Sequence, residues 1–354
     1  KKNEKITKEN LNKHINYDAS DFNWSRNFKN YFINKTKIKT SNKNIRKVLY
    51  RPFTLKWIYY DKYLNELRYR VPKILPDENS ENLIISVMGS GESKEFSCLM
   101  HNHIPEFKTL YNGQHFPLYT YQNNETDSHE NLLTNITEKN IKQNNITEEI
   151  IIYLKKFYKQ DLKYKQLFFY IYGLLHSEDY RSLFKNNLNK EIPRIPYVKN
   201  FKDFIEIEKI GKSLSSLHLN FLDVNKHSIN IKFSNRSNIK DKDLYKVEKM
   251  KHPILNGKKD KSKIIYNSYI TLENIPLEAY DYIVNEKSAI HWVMDQQSLS
   301  FNDETNIIDD PNDYSISAVK NFNYQIELIQ KVITVSLETQ KLIKSLPALK
   351  IAHK

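Results

Sequence analysis

Phe201-Lys-Asp-Phe-Ile-Glu-Ile-Glu-Lys-Ile-Gly-Lys-Ser-Leu-Ser-Ser-Leu-His-Leu-Asn-Phe221 sets Phe204, Ile207, Ile210, Leu214 and Leu217 on one face, because residues three and four apart stack on the same side of an α-helix. The segments before it share that period. Thr147-Glu-Glu is a helix start for a run to about Tyr158, Lys165 to Gly173 continues at helical spacing, and Ser177-Glu-Asp opens a helix ending near Asn189. Pro193 and Pro196 then interrupt the chain. Further toward the N-terminus the pattern changes to strands. Val48-Leu-Tyr-Arg-Pro-Phe-Thr-Leu-Lys-Trp-Ile-Tyr-Tyr-Asp61 is strand-like on either side of Pro52, and Leu83–Met88, Phe96–Met100 and Phe116–Tyr121 follow. A short helix is expected around Trp24–Phe32, capped by Ser20 or Asp21. Downstream, Ser228–Phe233, Tyr245–Met250 and Lys263–Asn267 are expected strands, with a basic loop from His252 to Lys261. A helix from Pro276 toward Met294 and a final helix over Val319–Ser345 complete the pattern. The expected fold class is α+β: a β-rich N-terminal part, then a helical part with a small mixed sheet and a long C-terminal helix. The polar stretch Gln122–Asn145 is the expected linker, dividing the chain into 1–46, 47–145 and 146–354.

The formal net charge is +13, with 55 Lys and Arg against 42 Asp and Glu. Such a balance favours a polyanionic partner, although the abundance of Lys, Asn, Ile and Tyr also follows from AT-rich coding. Aromatic residues make up 12% of the chain, enough to argue for a folded core over disorder. Cys98 is the one cysteine, so no intrachain disulfide forms and a reducing cytoplasm is the expected location. No apolar run reaches the roughly 18–20 residues of a membrane span. The sequence begins Lys1-Lys2 without Met or signal peptide, as expected of a monomeric piece of a longer polypeptide.

Enzyme signatures fail on spacing. Gly211-Lys-Ser213 resembles the end of a phosphate loop, but position 206 is Glu and the segment is helical, so no backbone cradle exists. Gly89-Ser-Gly91 lacks the third glycine of a dinucleotide fingerprint. His101-Asn-His103 has no nearby Cys or carboxylate at ligand spacing, so both histidines are expected on the surface and no metal is assigned. Asp77, Glu92 and Lys94 match the order of a metal-dependent nuclease site, yet Glu92 and Lys94 fall in a loop, not on a strand. His176 and His218 lie beside apolar helix faces and are expected as satisfied core residues. Tyr50-Arg-Pro-Phe53 is expected to pack with Arg51 in a buried pair or hydrogen bond, and Tyr119 and Tyr121 are expected in the core.

Several segments in order carry a resemblance. They include Leu49-Tyr-Arg-Pro-Phe-Thr54, Glu81 to Lys94, Phe169-Tyr-Ile-Tyr-Gly-Leu-Leu-His-Ser177, Ile192-Pro-Arg-Ile-Pro196, Leu217-His-Leu-Asn220, Ile275-Pro-Leu-Glu-Ala-Tyr280 and Asp310-Pro-Asn-Asp313. Together they resemble the C-terminal specificity region of the single-chain type ISP restriction–modification enzymes. Three positions depart from that pattern: Glu286 stands where Gly is usual, Gln296 where Arg is usual, and Asp309 where Asn is common. Glu286 puts a tight turn before Lys287 in doubt.

The resemblance implies sequence-specific recognition of double-stranded DNA, with no catalysis by these residues. It implies that an adenine methyltransferase and an ATPase–nuclease elsewhere in the polypeptide use S-adenosylmethionine, ATP and Mg²⁺, and that residues 1–46 connect to the methyltransferase. No cofactor is expected in this chain. DNA recognition needs phosphate contacts for grip and side chains at base edges for sequence. The residues suited to this are Ser90, Ser93 and Lys94 in the Gly-rich loop, Ser234, Asn235 and Arg236 after a strand, and Lys258, Lys259 and Lys261 in the basic loop. The alternatives are a nuclease built on Asp77, Glu92 and Lys94, or a structural clamp between the other domains.

Overall fold

The computed structural model describes residues 6–18, 24–89, 91, 94–122, 140–234, 239–303 and 306–352. The first half carries β1 (Ile45–Arg51), β2 (Thr54–Tyr59), β3 (Ile84–Val87), β4 (Cys98–His101), β5 (Ile104–Pro105), β6 (Gln114–Pro117), β7 (Tyr119–Gln122) and β8 (Ile141–Asn144). They make a β2-β1-β5 sheet, a β4-β3-β6 sheet and a β7-β8 ribbon. Helices Glu148–Tyr158, Tyr164–His176 and Phe201–Leu219 follow. The second half carries β9 (Asn230–Phe233), β10 (Ile254–Leu255), β11 (Lys258–Lys259), β12 (Ile264–Ile265), β13 (Ile270–Glu273), β14 (Ile283–Val284), β15 (Lys287–Ser288), β16 (Ser300–Asn302) and β17 (Ile307–Asp309). β12-β13-β9 form a sheet and the other strands pair as hairpins. Helices Ala289–Gln296 and Tyr324–Lys344 complete the α+β architecture. Among the described residues, no helix is long and apolar enough to cross a membrane.

The core crosses the expected linker. Ile85, Val87, Cys98 and Met100 share one apolar cluster with Ile151, Leu154, Phe168, Phe204 and Leu214. Leu49, Phe53 and Leu99 share another with Phe221, Leu272, Val293 and Val332. All four residues of β4 are buried, with Cys98 and Met100 in the first cluster and Leu99 in the second. A strand covered on both faces reads as a largely apolar run instead of alternating, and the polar member of β4, His101, is buried with hydrogen-bond partners.

Helices Tyr164–His176 and Phe201–Leu219 touch backbone to backbone where Gly173 meets Gly211. A Cβ at Gly211 would overlap the Phe169 carbonyl oxygen and lie 2.7 Å from the Gly173 nitrogen, and one at Gly173 would overlap the Ile207 carbonyl oxygen. Beside this crossing runs a buried polar seam. The Met100 N–H donates to the Tyr172 hydroxyl at 2.9 Å, Tyr172 is 2.5 Å from His218 Nδ1, and His218 Nε2 is 2.9 Å from Thr339 Oγ1. Tyr172 and Thr339 are both hydroxyls that donate or accept, so His218 is bonded through both ring nitrogens in either neutral tautomer. His176 Nδ1 meets the Tyr172 carbonyl at 2.9 Å, so His176 and His218 are both buried and bonded. Arg51 pairs with Glu106 at 2.5 Å. After the last helix the chain doubles back. Val198 bridges Ile351, Lys199 N–H donates to the Lys350 carbonyl, and Ala352 N–H donates to that of Tyr197, both at 2.9 Å.

Several local expectations change. Ser25, not Ser20 or Asp21, caps the Arg26–Ile33 helix by accepting from Phe28 N–H; the other two lie outside the described residues. Ile141–Asn144 of the expected linker pairs with β7. Tyr245–Met250 is not a strand, because side-chain amides satisfy much of its backbone. Asn312 Oδ1 accepts from Val247 N–H at 2.8 Å and its Nδ2 donates to the Val247 carbonyl, while Asn267 Nδ2 donates to the Leu244 and Lys246 carbonyls. The expected helix from Pro276 is a short turn, the β14-β15 hairpin and then Ala289–Gln296. The last helix starts at Tyr324, since Lys320 takes φ 57, outside helical space. Tyr119 packs against the core, whereas Tyr121 is only partly covered and its hydroxyl donates to the Glu81 carbonyl.

Candidate nucleic-acid interface

The Gly-rich loop is held by the protein itself. Gly89 N–H donates to the Tyr111 carbonyl at 3.2 Å, and a Cβ at position 89 would lie 2.5 Å from the Asn112 carbonyl oxygen. The small residue therefore serves contact with the 111–112 turn, where both residues have positive φ. Gly91 takes φ 83 with open space where a Cβ would stand. Lys94 lies 3.4 Å from the Tyr111 ring centroid and 2.9 Å from Glu286 Oε2. Hydrogen bonds to Glu286 and to Tyr111 raise its pKa. Ser90, Glu92 and Ser93 lie outside the described residues.

Glu286 follows Asn285 in the two-residue turn of the β14-β15 hairpin, with φ 66 and 57 respectively. The tight turn forms despite Glu at a position that favours Gly. Both acidic departures from the family pattern hold lysines of the first half: Glu286 takes Lys94, and Asp309 takes Lys56 at 2.8 Å.

The basic loop is a hairpin. β10 and β11 pair Ile254 with Lys259 and Leu255 with Lys258 around Asn256-Gly257. Both lysines are exposed, and among the described residues neither forms a salt bridge. Lys261 lies over the Tyr280 ring at 5.6 Å. His252 at the hairpin base meets His291 at 3.1 Å, and the two rings cluster with Tyr280. The Gly-rich loop and this hairpin are thus both fastened to the Tyr280–His291 segment, which sequence spacing gave no sign of. Ser234 follows β9 with its N–H bonded to the Tyr269 carbonyl, at the end of the small sheet away from the hairpin. Asn235 and Arg236 lie outside the described residues.

Of the alternative nuclease residues, Asp77 and Lys94 are engaged elsewhere, and Glu92 lies outside the described residues. Asp77 Oδ1 accepts from Asn79 N–H and Ser80 Oγ, and its Oδ2 from Asn140 Nδ2, so its carboxylate organises a turn. Lys94 is engaged by Glu286. Among the described residues, no three His, Cys, Asp or Glu side chains are placed to hold a metal.

His101 is not at the surface; it is 4% exposed. Its Nδ1 meets the His103 carbonyl at 3.0 Å, leaving Nε2 to accept from Ser86 Oγ at 2.6 Å. Ser86 in turn accepts from His115 Nδ1 at 2.6 Å. Burial, then the neighbouring His115, pulls His101 down to about 3, and burial pulls His115 to about 4. Ser86→Ala strands a nitrogen on each ring and is expected to cost about 2–3 kcal/mol in urea unfolding. A loss below about 0.5 kcal/mol, the range of ordinary surface substitutions, would show that the chain of bonds does not hold the sheet.

A family model described as the Type ISP C-terminal specificity domain matches residues 1–331. Three solved structures are similar. The ATP-dependent Type ISP restriction–modification enzyme LlaBIII bound to DNA is 33% identical with a TM-score of 0.79, over 94% of this chain and 20% of that one. A nuclease-deletion mutant of the Type ISP enzyme LlaGI with a DNA substrate mimic is 31% identical with a TM-score of 0.78, over 99% and 29%. A DrdV–DNA complex is 26% identical with a TM-score of 0.82, over 98% and 32%. The chain therefore spans about a fifth to a third of these proteins' lengths. No curated protein matches.

Proposed function

Because this chain belongs to the family of type ISP C-terminal specificity domains, we propose that it recognises a short sequence in double-stranded DNA for a longer restriction–modification polypeptide. The observation that carries this is the family match over residues 1–331 together with three DNA-bound structural relatives. In this proposal the chain does no catalysis and acts in the cytoplasm as one part of a monomeric enzyme. Residues 1–46 adjoin a methyltransferase, and 47–145 and 146–354 are the recognition subdomains. The other domains would methylate adenine with S-adenosylmethionine, and translocate and cut with ATP and Mg²⁺. Lys258, Lys259 and Lys261 supply charge at one contact, Ser90, Ser93 and Lys94 a second, and Ser234, Asn235 and Arg236 a third.

Selection from a pool of random duplexes tests the reading, followed by anisotropy titrations of the best duplex at several salt concentrations. The expected result is enrichment of one short asymmetric site and a steep salt dependence. Lys258→Gln with Lys259→Gln flattens the log–log slope by about 1.8, at about 0.9 for each phosphate no longer neutralised. Glu286→Gly releases Lys94 from its pair and steepens the slope by about 0.9. Binding without enrichment would leave only non-specific attraction, and no binding would favour the clamp. Cutting of the duplex on adding Mg²⁺, abolished by Asp77→Ala, would return the nuclease.

A further inference from the structure

The hairpin built on β10 and β11 carries an inference that rests on the proposed DNA recognition and deepens it. Pro253 to Asp260 leaves the core as a two-stranded ribbon with no third strand on either edge among the described residues. Its base is fixed. Asp260 N–H donates to the Pro253 carbonyl at 2.9 Å, His252 Nδ1 to that of Lys263 at 2.7 Å, and Lys251 and Ile265 exchange two backbone bonds. Its tip turns through Asn256 and Gly257 at φ 50 and 75, the left-handed pair whose twist matches that of an antiparallel ribbon. The projection is thus a preformed ribbon on a rigid footing.

Ile254 and Leu255 are 64% and 61% exposed. Neighbouring strand residues point to opposite faces, and the register places Ile254 across from Lys259 and Leu255 across from Lys258. Each face therefore presents one apolar and one cationic side chain. Single exposed apolar residues are ordinary, so apolarity alone decides nothing; its setting does. From 249 to 263 the lysines are Lys249, Lys251, Lys258, Lys259, Lys261 and Lys263, and the one acid is Asp260. Asp260 already accepts from Ser262 N–H and Oγ. Protein interfaces deplete charge, Lys included, around their apolar centre, whereas a polyanion attracts it. The major groove, about 12 Å wide, admits a two-stranded ribbon, and thymine presents its C5-methyl group there to apolar side chains.

We infer that the Ile254–Lys259 hairpin enters the DNA major groove as a preformed ribbon. The face that meets the base edges sets Ile254 or Leu255 on a thymine methyl group, while Lys258 and Lys259 reach the flanking phosphates. The test uses the duplex selected above and the same duplex made with deoxyuridine for every thymidine, which removes only the methyl groups. Wild type is expected to bind the deoxyuridine duplex roughly three- to fivefold more weakly, the worth of about one buried methyl. Ile254→Ser with Leu255→Ser binds both duplexes equally and more weakly, while Lys258→Gln with Lys259→Gln keeps the methyl discrimination and flattens the log–log salt slope by about 1.8. All four positions are exposed, so each variant should keep the wild-type urea midpoint, which excludes misfolding as the cause. Equal binding of both duplexes by wild type, or discrimination undiminished in the serine variant, overturns the hairpin's role and leaves DNA recognition standing. A contact to another protein segment would give that second outcome. Failure of wild type to bind any duplex sinks both.

Discussion

Gly211→Ala is expected to destabilise the chain by about 3 kcal/mol, the upper end of what overpacking typically costs, because the atoms it meets cannot move aside. The sign is informative, because in an exposed helix the same change gains up to about 1 kcal/mol in helix propensity. Here the new methyl group meets the Phe169 carbonyl oxygen and carbon and the Gly173 nitrogen. All are backbone atoms of the facing helix, so no rotamer change relieves the overlap and the helices must part. Parting them opens the cluster in which Phe168, Tyr172, Phe204 and Leu214 are buried and stretches the 2.5 Å contact between Tyr172 and His218. Urea unfolding measures the loss, with Ser216→Ala in the same helix as the propensity control. A Gly211→Ala midpoint equal to or above wild type would mean that the crossing is looser than described.

Acid is expected to unfold the chain well before its carboxylates titrate. His101 and His218 are almost wholly buried, and burial takes each to about 3, with His115 adding to the effect on His101. His176 is displaced in the same direction by burial and by the nearby Arg181. A histidine in the unfolded chain titrates near 6.5. Between that value and its folded value the unfolded state binds a proton that the folded state refuses, so stability is complete above about pH 6.5 and falls as the pH drops toward 3. Each such histidine contributes a slope of up to about 1.4 kcal/mol per pH unit. From pH 6.5 to about 4.5, His101 and His218 together amount to about 5 kcal/mol, the lower end of a domain's total stability. His218 meets the Tyr172 and Thr339 hydroxyls and His101 meets Ser86 Oγ and the His103 carbonyl, neutral groups whose hydrogen bonds do not offset the burial that disfavours an imidazolium. Urea midpoints measured between pH 8 and pH 5 test this, and a flat profile from 7 to 5 would rule it out.

The α+β class and the three central helices were legible because long amphipathic periods survive tertiary context. Short elements were not. Two-residue strands such as β10 and β11 show no period, although Asn256-Gly257 between Ile254-Leu255 and Lys258-Lys259 was a hairpin signal in itself. Tyr245–Met250 alternates like a strand, but the amides of Asn267 and Asn312 take its backbone bonds, and Asn312 lies 65 residues from Val247. His101 looked superficial because its partners Ser86 and His115 belong to neighbouring strands. The candidate site was legible as residue types and no further. Glu286 engages Lys94 across most of the chain, and the shared anchorage of two loops on Tyr280–His291 depends on contacts no local pattern carries.

The doubling back of residues 349–352 onto 197–199 bears on engineering. The bonds at this closure join main-chain groups, so in a chimera they survive only where the segment after the Tyr324–Lys344 helix returns along the same path to 197–199. Viable chimeras should therefore exchange the closing tail and the 197–199 segment as a matched set.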